Sequence, residues 1–110
     1  MHEYSLVQAL VSDVERQMRG RAGEVRRVRV RVGALSGVDP GLFSTAYQTF
    51  RPQTVCASAE LELTGVPARW ACPRCRRQIA AGERLQCCGE PARLVEGDDL
   101  VLEQIELEVP

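Results

Sequence analysis

Arg27-Val28-Arg29-Val30-Arg31-Val32 decides how the rest of the chain folds. Its strict alternation puts three valines on one face and three arginines on the other, a β-strand with one buried and one charged side. Such a strand needs a layer to cover its valines and acidic neighbours to meet its arginines. Upstream, Val7, Leu10, Val11, Val14 and Met18 recur at helical spacing and form one apolar stripe. Ser5-Leu6-Val7-Gln8 reads as a capping box opening that helix, and Gly20 and Gly23 end it. Downstream, Gly33 to Gly37 turns the chain. Asp39-Pro40 is an N-cap followed by proline at the first helical position, and Leu42, Phe43, Ala46, Tyr47 and Phe50 give a second helix its apolar side before Pro52 closes it. Leu61 and Leu63 alternate with Glu60 and Glu62 in a second strand, and Ile105, Leu107 and Val109 with Glu106 and Glu108 in a third. Set beside the first strand, these glutamates meet its arginines, at roughly 0.2–1 kcal/mol per cross-strand pair.

The order helix, strand, helix, strand, cysteine-rich insertion, strand predicts an α/β fold of the α+β type. Two helices cover one face of a three-stranded sheet, and a zinc-ribbon-like cysteine domain is inserted. Residues 1–66 and 95–110 make up the α/β domain and 67–94 the insertion. The chain's 110 residues fit this division. The insertion is rich in Gly, Pro, Cys and Arg and poor in large aliphatics, so a metal must organise it.

Net charge is −1, which gives no general attraction to nucleic acid or to an anionic membrane. Charge is nevertheless uneven: seven arginines fall between Arg16 and Arg31, while Glu96, Asp98, Asp99, Glu103, Glu106 and Glu108 crowd the C-terminal end. A nucleic-acid-binding sheet would carry exposed aromatics among such arginines, and none stand there. With no secretory leader and no apolar run long enough to span a bilayer, the expected location is cytoplasmic. Thiols stay reduced in that compartment, so clustered cysteines favour metal over disulfides.

Cys72-Pro73-Arg74-Cys75 is a metal knuckle, in which two intervening residues let both sulfurs face one centre while backbone amides support the thiolates. Cys87 and Cys88 supply the rest. Four thiolates favour tetrahedral Zn²⁺ in a closed, structural site. Adjacent side chains ordinarily diverge, so using both Cys87 and Cys88 requires a bent backbone, which Gly89 permits. Three thiolates completed by water or Glu83 remain an alternative. A redox dithiol would open a helix, a setting Pro73-Arg74 does not supply. Arg74, Arg76 and Arg77 offset the negative charge of a tetrathiolate site, and Cys56 reads as a small buried residue.

At the other end stands Met1-His2-Glu3. The terminal amine, the His2 amide nitrogen and His2 Nδ1 can close five- and six-membered rings on one ion, and nitrogen-rich tetragonal sites suit Ni²⁺ or Cu²⁺. Glu3 adds a nearby donor or accepts a displaced proton. A lone histidine near a terminus is ordinarily solvated, and on these residues alone that reading stands beside the metal one. Because His2 is the only histidine, none is left to act as a catalytic base. There is also no nucleotide loop and no nucleophile with a partner, so no enzyme is expected.

Taken in order, these motifs resemble the hydrogenase maturation nickel metallochaperone family (HypA/HybF), nearly end to end. The resemblance rests on Met1-His2-Glu3 and the amphipathic helix after it, Val32-Gly33-Ala34-Leu35-Ser36-Gly37-Val38-Asp39-Pro40, Ala59-Glu60-Leu61, Cys72-x-x-Cys75 with the second cysteine group, and Gly97-Asp98-Asp99-Leu100. It implies a Ni²⁺ carrier for nickel-iron hydrogenase, with nickel as cargo on Met1, His2 and Glu3 and structural zinc on Cys72, Cys75, Cys87 and Cys88. It further implies a partner GTPase, the hydrogenase large-subunit precursor as recipient, a monomer or weak homodimer, and no nucleic-acid or membrane partner; some members also serve urease. The family pattern has two C-x-x-C pairs. Here its third cysteine would fall at Leu85, and Cys87 must substitute. The rival from another class is a zinc-ribbon adaptor that binds protein or nucleic acid through the arginine-rich region.

Overall fold

A computed structural model describes residues 2–80 and 82–110. The elements are α1 (His2–Met18), β1 (Glu24–Gly33), α2 (Pro40–Phe50), β2 (Glu60–Val66), β3 (Arg69–Ala71), β4 (Gln78–Ile79), β5 (Gln86–Cys87), β6 (Glu90–Pro91), β7 (Arg93–Glu96) and β8 (Leu100–Glu108). A 3₁₀ turn at Arg51–Gln53 follows α2.

The main sheet has the order β2-β1-β8, with β2 parallel and β8 antiparallel to β1. Alternation along β1 works as its sequence dictates. Val25, Val28, Val30 and Val32 are buried against Val7, Leu10, Val11 and Val14 of α1 and Phe43, Ala46 and Tyr47 of α2. The arginines lie on the other face. Arg27 reaches Glu106 at 3.4 Å and Glu62 at 3.8 Å, Arg29 bonds Gln104 at 2.9 Å, and Arg31 meets Glu96 at 3.1 Å and Glu103 at 3.4 Å. Two helices on one face of a three-stranded sheet, with a cysteine cluster of zinc-ribbon type beyond it, is the expected fold class.

Three local expectations change. α1 begins at His2, not behind a cap at Ser5. Tertiary contacts already hold its first turn, since Glu3 is bonded to Asp39 and the Tyr4 ring packs edge-on against Phe50 at 5.5 Å. Leu42 is exposed: the buried stripe of α2 runs through Phe43, Ala46 and Tyr47, and Leu42 precedes it by one residue, about 100° around the helix. Val109 lies past the end of β8 and is also exposed. The Asp39 cap forms as expected, its carboxylate accepting the Leu42 amide at 3.0 Å.

β3, β4 and β7 form a second sheet, in the order β4-β3-β7, and β5 and β6 a hairpin. This second lobe leaves the main sheet at Val66, beside Gly33, and returns at Leu100, beside Val32. Both crossings are pinned to the 33–37 turn: the Gly33 amide donates to Asp99 O (2.8 Å), Ala34 to Val66 O (2.8 Å) and Leu35 to Gly97 O (2.7 Å). Gly33 abuts the Gly97 backbone so closely that a Cβ would overlap it, and Gly97 itself has φ +104°. The molecule measures 56 × 28 × 17 Å with a radius of gyration of 17.5 Å. A single compact body of this length would have about 13 Å, so the lobes extend end to end.

Candidate metal centres

The four cysteines converge. Sγ atoms of Cys72, Cys75, Cys87 and Cys88 all lie within 4.8 Å of one another. Cys75–Cys87 and Cys87–Cys88 sulfurs are each 3.8 Å apart. Four sulfurs about 2.3 Å from a central ion stand about 3.8 Å apart in a regular tetrahedron, so this donor set fits Zn²⁺. Cys72 is buried at the base, Cys87 is half-buried, and Cys75 and Cys88 are exposed.

The chain reaches this arrangement in two ways. On the first side, Cys72 N–H donates to Arg77 O and Arg76 N–H to Cys72 O, both at 2.9 Å, which folds Pro73–Arg76 into a tight knuckle with Arg76 at φ +63°. The Cys75 amide, helped by that of Arg74, bonds the Cys72 sulfur and holds its thiol down at about 6 against the opposing effect of burial. On the second side, β5 and β6 pair Cys87 with Glu90, leaving Cys88-Gly89 as a two-residue turn. Cys88 has φ +53° and Gly89 +73°. Positive φ at both central residues is the type I′ geometry, and it turns the adjacent Cys87 and Cys88 side chains to one centre. The bend thus falls on Cys88 as well as on Gly89. Gly89 is the one residue of the turn whose positive φ the sequence could suggest; Cys-Gly between two-residue strands is not the Asn-Gly or Asp-Gly that marks a hairpin.

Pressed against the other three sulfurs, Cys88 is pushed up to about 12. Four bare thiolates repel one another, and a dication is what lets all four ionise together. Glu83 is turned elsewhere: its carboxylate accepts from Arg77 Nη1 and the Ala80 amide, each at 3.1 Å. Leu85 is exposed, its carbonyl taken by the Ala92 amide. Arg77 lies against the Cys87 sulfur and Glu83, both of which keep its guanidinium charged, while Arg74 pairs with Glu90 at 3.3 Å.

At the opposite end of the chain, His2 opens α1. Its imidazole is 61 % exposed and its Nδ1 stands 3.5 Å from Glu3 Oε2, whereas the Glu3 side chain is only 14 % exposed. Glu3 Oε2 accepts the Asp39 amide at 3.3 Å, and that bond is the first cause holding the Glu3 carboxyl below its ordinary range. Met1, the third residue of the expected nickel set, lies outside the described residues. The Glu3–Asp39 tie has no counterpart in the sequence reading, which saw Asp39 only as a cap. It brings the His2 segment to the end of the sheet where the second lobe departs. Cys56 is buried as expected, its thiol pushed up by burial. The arginine face of β1, the surface an adaptor would use, is neutralised in place by Glu62, Glu96, Glu103 and Glu106.

Comparison with known proteins gives a consistent result. The family profile described as hydrogenase/urease nickel incorporation, metallochaperone, HypA matches residues 1–107. A hydrogenase maturation factor HypA of Shewanella sp. (strain MR-7) is 38% identical over 115 aligned positions, covering 98% of this chain and 96% of its own. That of Aquifex aeolicus is 36% identical, covering 99% of each chain. Among solved structures, the nickel metallochaperone HypA from Helicobacter pylori superposes with a TM-score of 0.74 at 25% identity, covering 98% of both chains. A second HypA solution structure reaches 0.79 at 27% identity, covering 100% of this chain and 98% of its own. With the fold, the cysteine cluster and the whole-length match in agreement, the chain belongs to the HypA family of nickel-incorporation metallochaperones that serve hydrogenase maturation.

Proposed function

We propose that this protein carries Ni²⁺ on its N-terminal segment and delivers it to nickel-iron hydrogenase, while Zn²⁺ on Cys72, Cys75, Cys87 and Cys88 holds the second lobe together. The observation that carries the nickel reading is the position of His2: exposed, first in α1, and beside the Glu3 carboxylate. The first amides of a helix lack intrahelical acceptors. The His2 nitrogen can therefore lose its proton to a metal without breaking a helical hydrogen bond. The amine of Met1, this nitrogen and Nδ1 form the chelate, and Glu3, 3.5 Å from Nδ1, adds a nearby donor or accepts a displaced proton. Delivery is a ligand exchange. A site at the surface lacks an enclosing shell, so a recipient's donors replace the imidazole and the amine stepwise. The recipients are the hydrogenase large-subunit precursor and a maturation GTPase, and the setting is the cytoplasm. No described helix is long and apolar enough to cross a membrane.

The test is metal stoichiometry by elemental analysis and calorimetry on protein with a native, untagged N-terminus, beside His2→Ala. One tightly held zinc in both proteins and a nickel site only in the parent is the expected outcome. Equal nickel uptake by the two proteins, or none by either, would refute it. Nickel binding displaces protons, so the parent's affinity falls in acid.

A further inference from the structure

We infer, given the zinc site proposed above, that Cys88 is a site of reversible oxidation by hydrogen peroxide, and that the disulfide it forms with Cys75 replaces zinc as the clip between the knuckle and the hairpin. A thiol bound to zinc is ionised, and the thiolate is the form that attacks peroxide. The fold makes the four thiolates unequal. Cys72 is buried, and its sulfur is hydrogen-bonded by the Cys75 and Arg74 amides. Cys87 is half-buried, and the Arg77 guanidinium donates to its sulfur. Arg77 is itself held by Glu83 at 3.1 Å. Such bonds draw charge from a thiolate and lower its nucleophilicity. Cys75 and Cys88 are exposed. Cys88 stands in the two-residue turn between β5 and β6, and the hydrogen bonds its sulfur makes are to the other three sulfurs. Bonds of that kind disappear once all four are ionised, which leaves Cys88 open to solvent with its charge on sulfur.

Adjacency then fixes the product. Consecutive Cα atoms are about 3.8 Å apart, short of the roughly 4.4–6.8 Å that a relaxed disulfide spans. Cys88 therefore cannot close onto Cys87 without strain, although their sulfurs are 3.8 Å apart. Cys75 is exposed, and its sulfur lies within 4.8 Å of that of Cys88. The Cys88 thiolate attacks one peroxide oxygen, the O–O bond breaks, and a sulfenic acid and a hydroxide form. The Cys75 thiolate then attacks the Cys88 sulfur, the S–O bond breaks, and a second hydroxide leaves. Two protons from solvent turn both hydroxides into water, and two electrons have passed from the sulfurs to the peroxide. Cys72 and Cys87 alone cannot hold the ion against water, since a closed site takes four ligands. The new bond still ties the knuckle to the hairpin. A catalytic dithiol uses both cysteines of one C-x-x-C, whereas here the knuckle supplies one thiol and the turn the other.

The test exposes the full-length zinc-loaded protein to hydrogen peroxide, follows zinc release with a colorimetric chelator, and maps disulfides by mass spectrometry after alkylation. One zinc released per peroxide consumed is expected, with a Cys75–Cys88 disulfide, Cys56 still a free thiol, and zinc binding restored by dithiothreitol. Arg77→Gln removes the guanidinium from Cys87 and should raise the share of Cys75–Cys87 disulfide several-fold, a shift that a purely structural role for Arg77 would not produce. Cys88→Ser should slow zinc release about tenfold. Should that variant bind no zinc, the disulfide maps of the parent and of Arg77→Gln decide. A first disulfide that involves Cys72 or Cys87 in the parent, sulfinic acid with no disulfide, or zinc retained under peroxide that oxidises glutathione would overturn the inference and leave the zinc site standing. A protein that holds no zinc before peroxide is added fails the zinc reading, and the inference with it.

Discussion

Glu3 accepts a hydrogen bond from the backbone of Asp39, a residue 36 positions away. No local pattern encodes that contact. Periodicity reports which face of an element is buried and says nothing about which loop amide a first-turn carboxylate will find. His2 could be chosen from the sequence because chelation depends on neighbouring atoms, but where its segment docks could not. The bond has a pH signature. The Glu3 carboxyl is lowered, chiefly by the Asp39 amide, so the tie contributes fully above the ordinary glutamate value of about 4.3 and is lost as pH falls through the lower folded value. In an NMR titration the Asp39 amide resonance should move with a midpoint below the ordinary value. A midpoint at or above it would mean that the carboxylate does not hold that amide in solution.

Elements were the most legible scale. The alternation of β1, the stripe of α1, the Asp39-Pro40 start of α2 and the glutamate strands all form where the side-chain pattern puts them, because each pattern has a core or an ion pair to satisfy. The short strands β3 to β7 were not foreseen, because two to four residues carry too little periodicity to read. The opening of α1 was misread at Ser5 because the capping-box spacing is a local signal, whereas contacts from α2 secure the turn before it. Asp39 gives a test at this scale. Its side chain caps α2 and its backbone holds Glu3, so Asp39→Ala should cost about 1 kcal/mol in denaturant unfolding by loss of the cap. The Glu3 bond, made by the backbone amide, should survive, and nickel stoichiometry should be unchanged. A variant that lost nickel with stability intact would place the Asp39 carboxylate in the nickel site.

At the scale of the whole molecule, the two lobes have different sources of stability. Among the described residues, the main sheet encloses thirteen buried core residues, whereas in the second lobe only Ile79 and Cys72 of the apolar residues are buried. Chelating zinc should therefore melt 69–96 and leave the β1 amides protected, an outcome read by hydrogen exchange before and after chelation. Simultaneous loss of protection in both lobes would show that the main sheet also depends on the metal. The departure and return of the second lobe on either side of β1 have a consequence for how the chain is made. For the main sheet, 67–99 is one loop whose ends meet at the tip of the central strand, and closing a loop grows costlier only slowly, by about 0.6 kcal/mol for each doubling of its length. Strand β8, however, is synthesised after every other described element, and until it arrives β1 has an open edge. If the cysteines capture zinc during synthesis, as proposed, the effective loop would shorten and residue 100 would be brought back toward residue 32, which would cut the time an incomplete sheet spends exposed to other nascent chains.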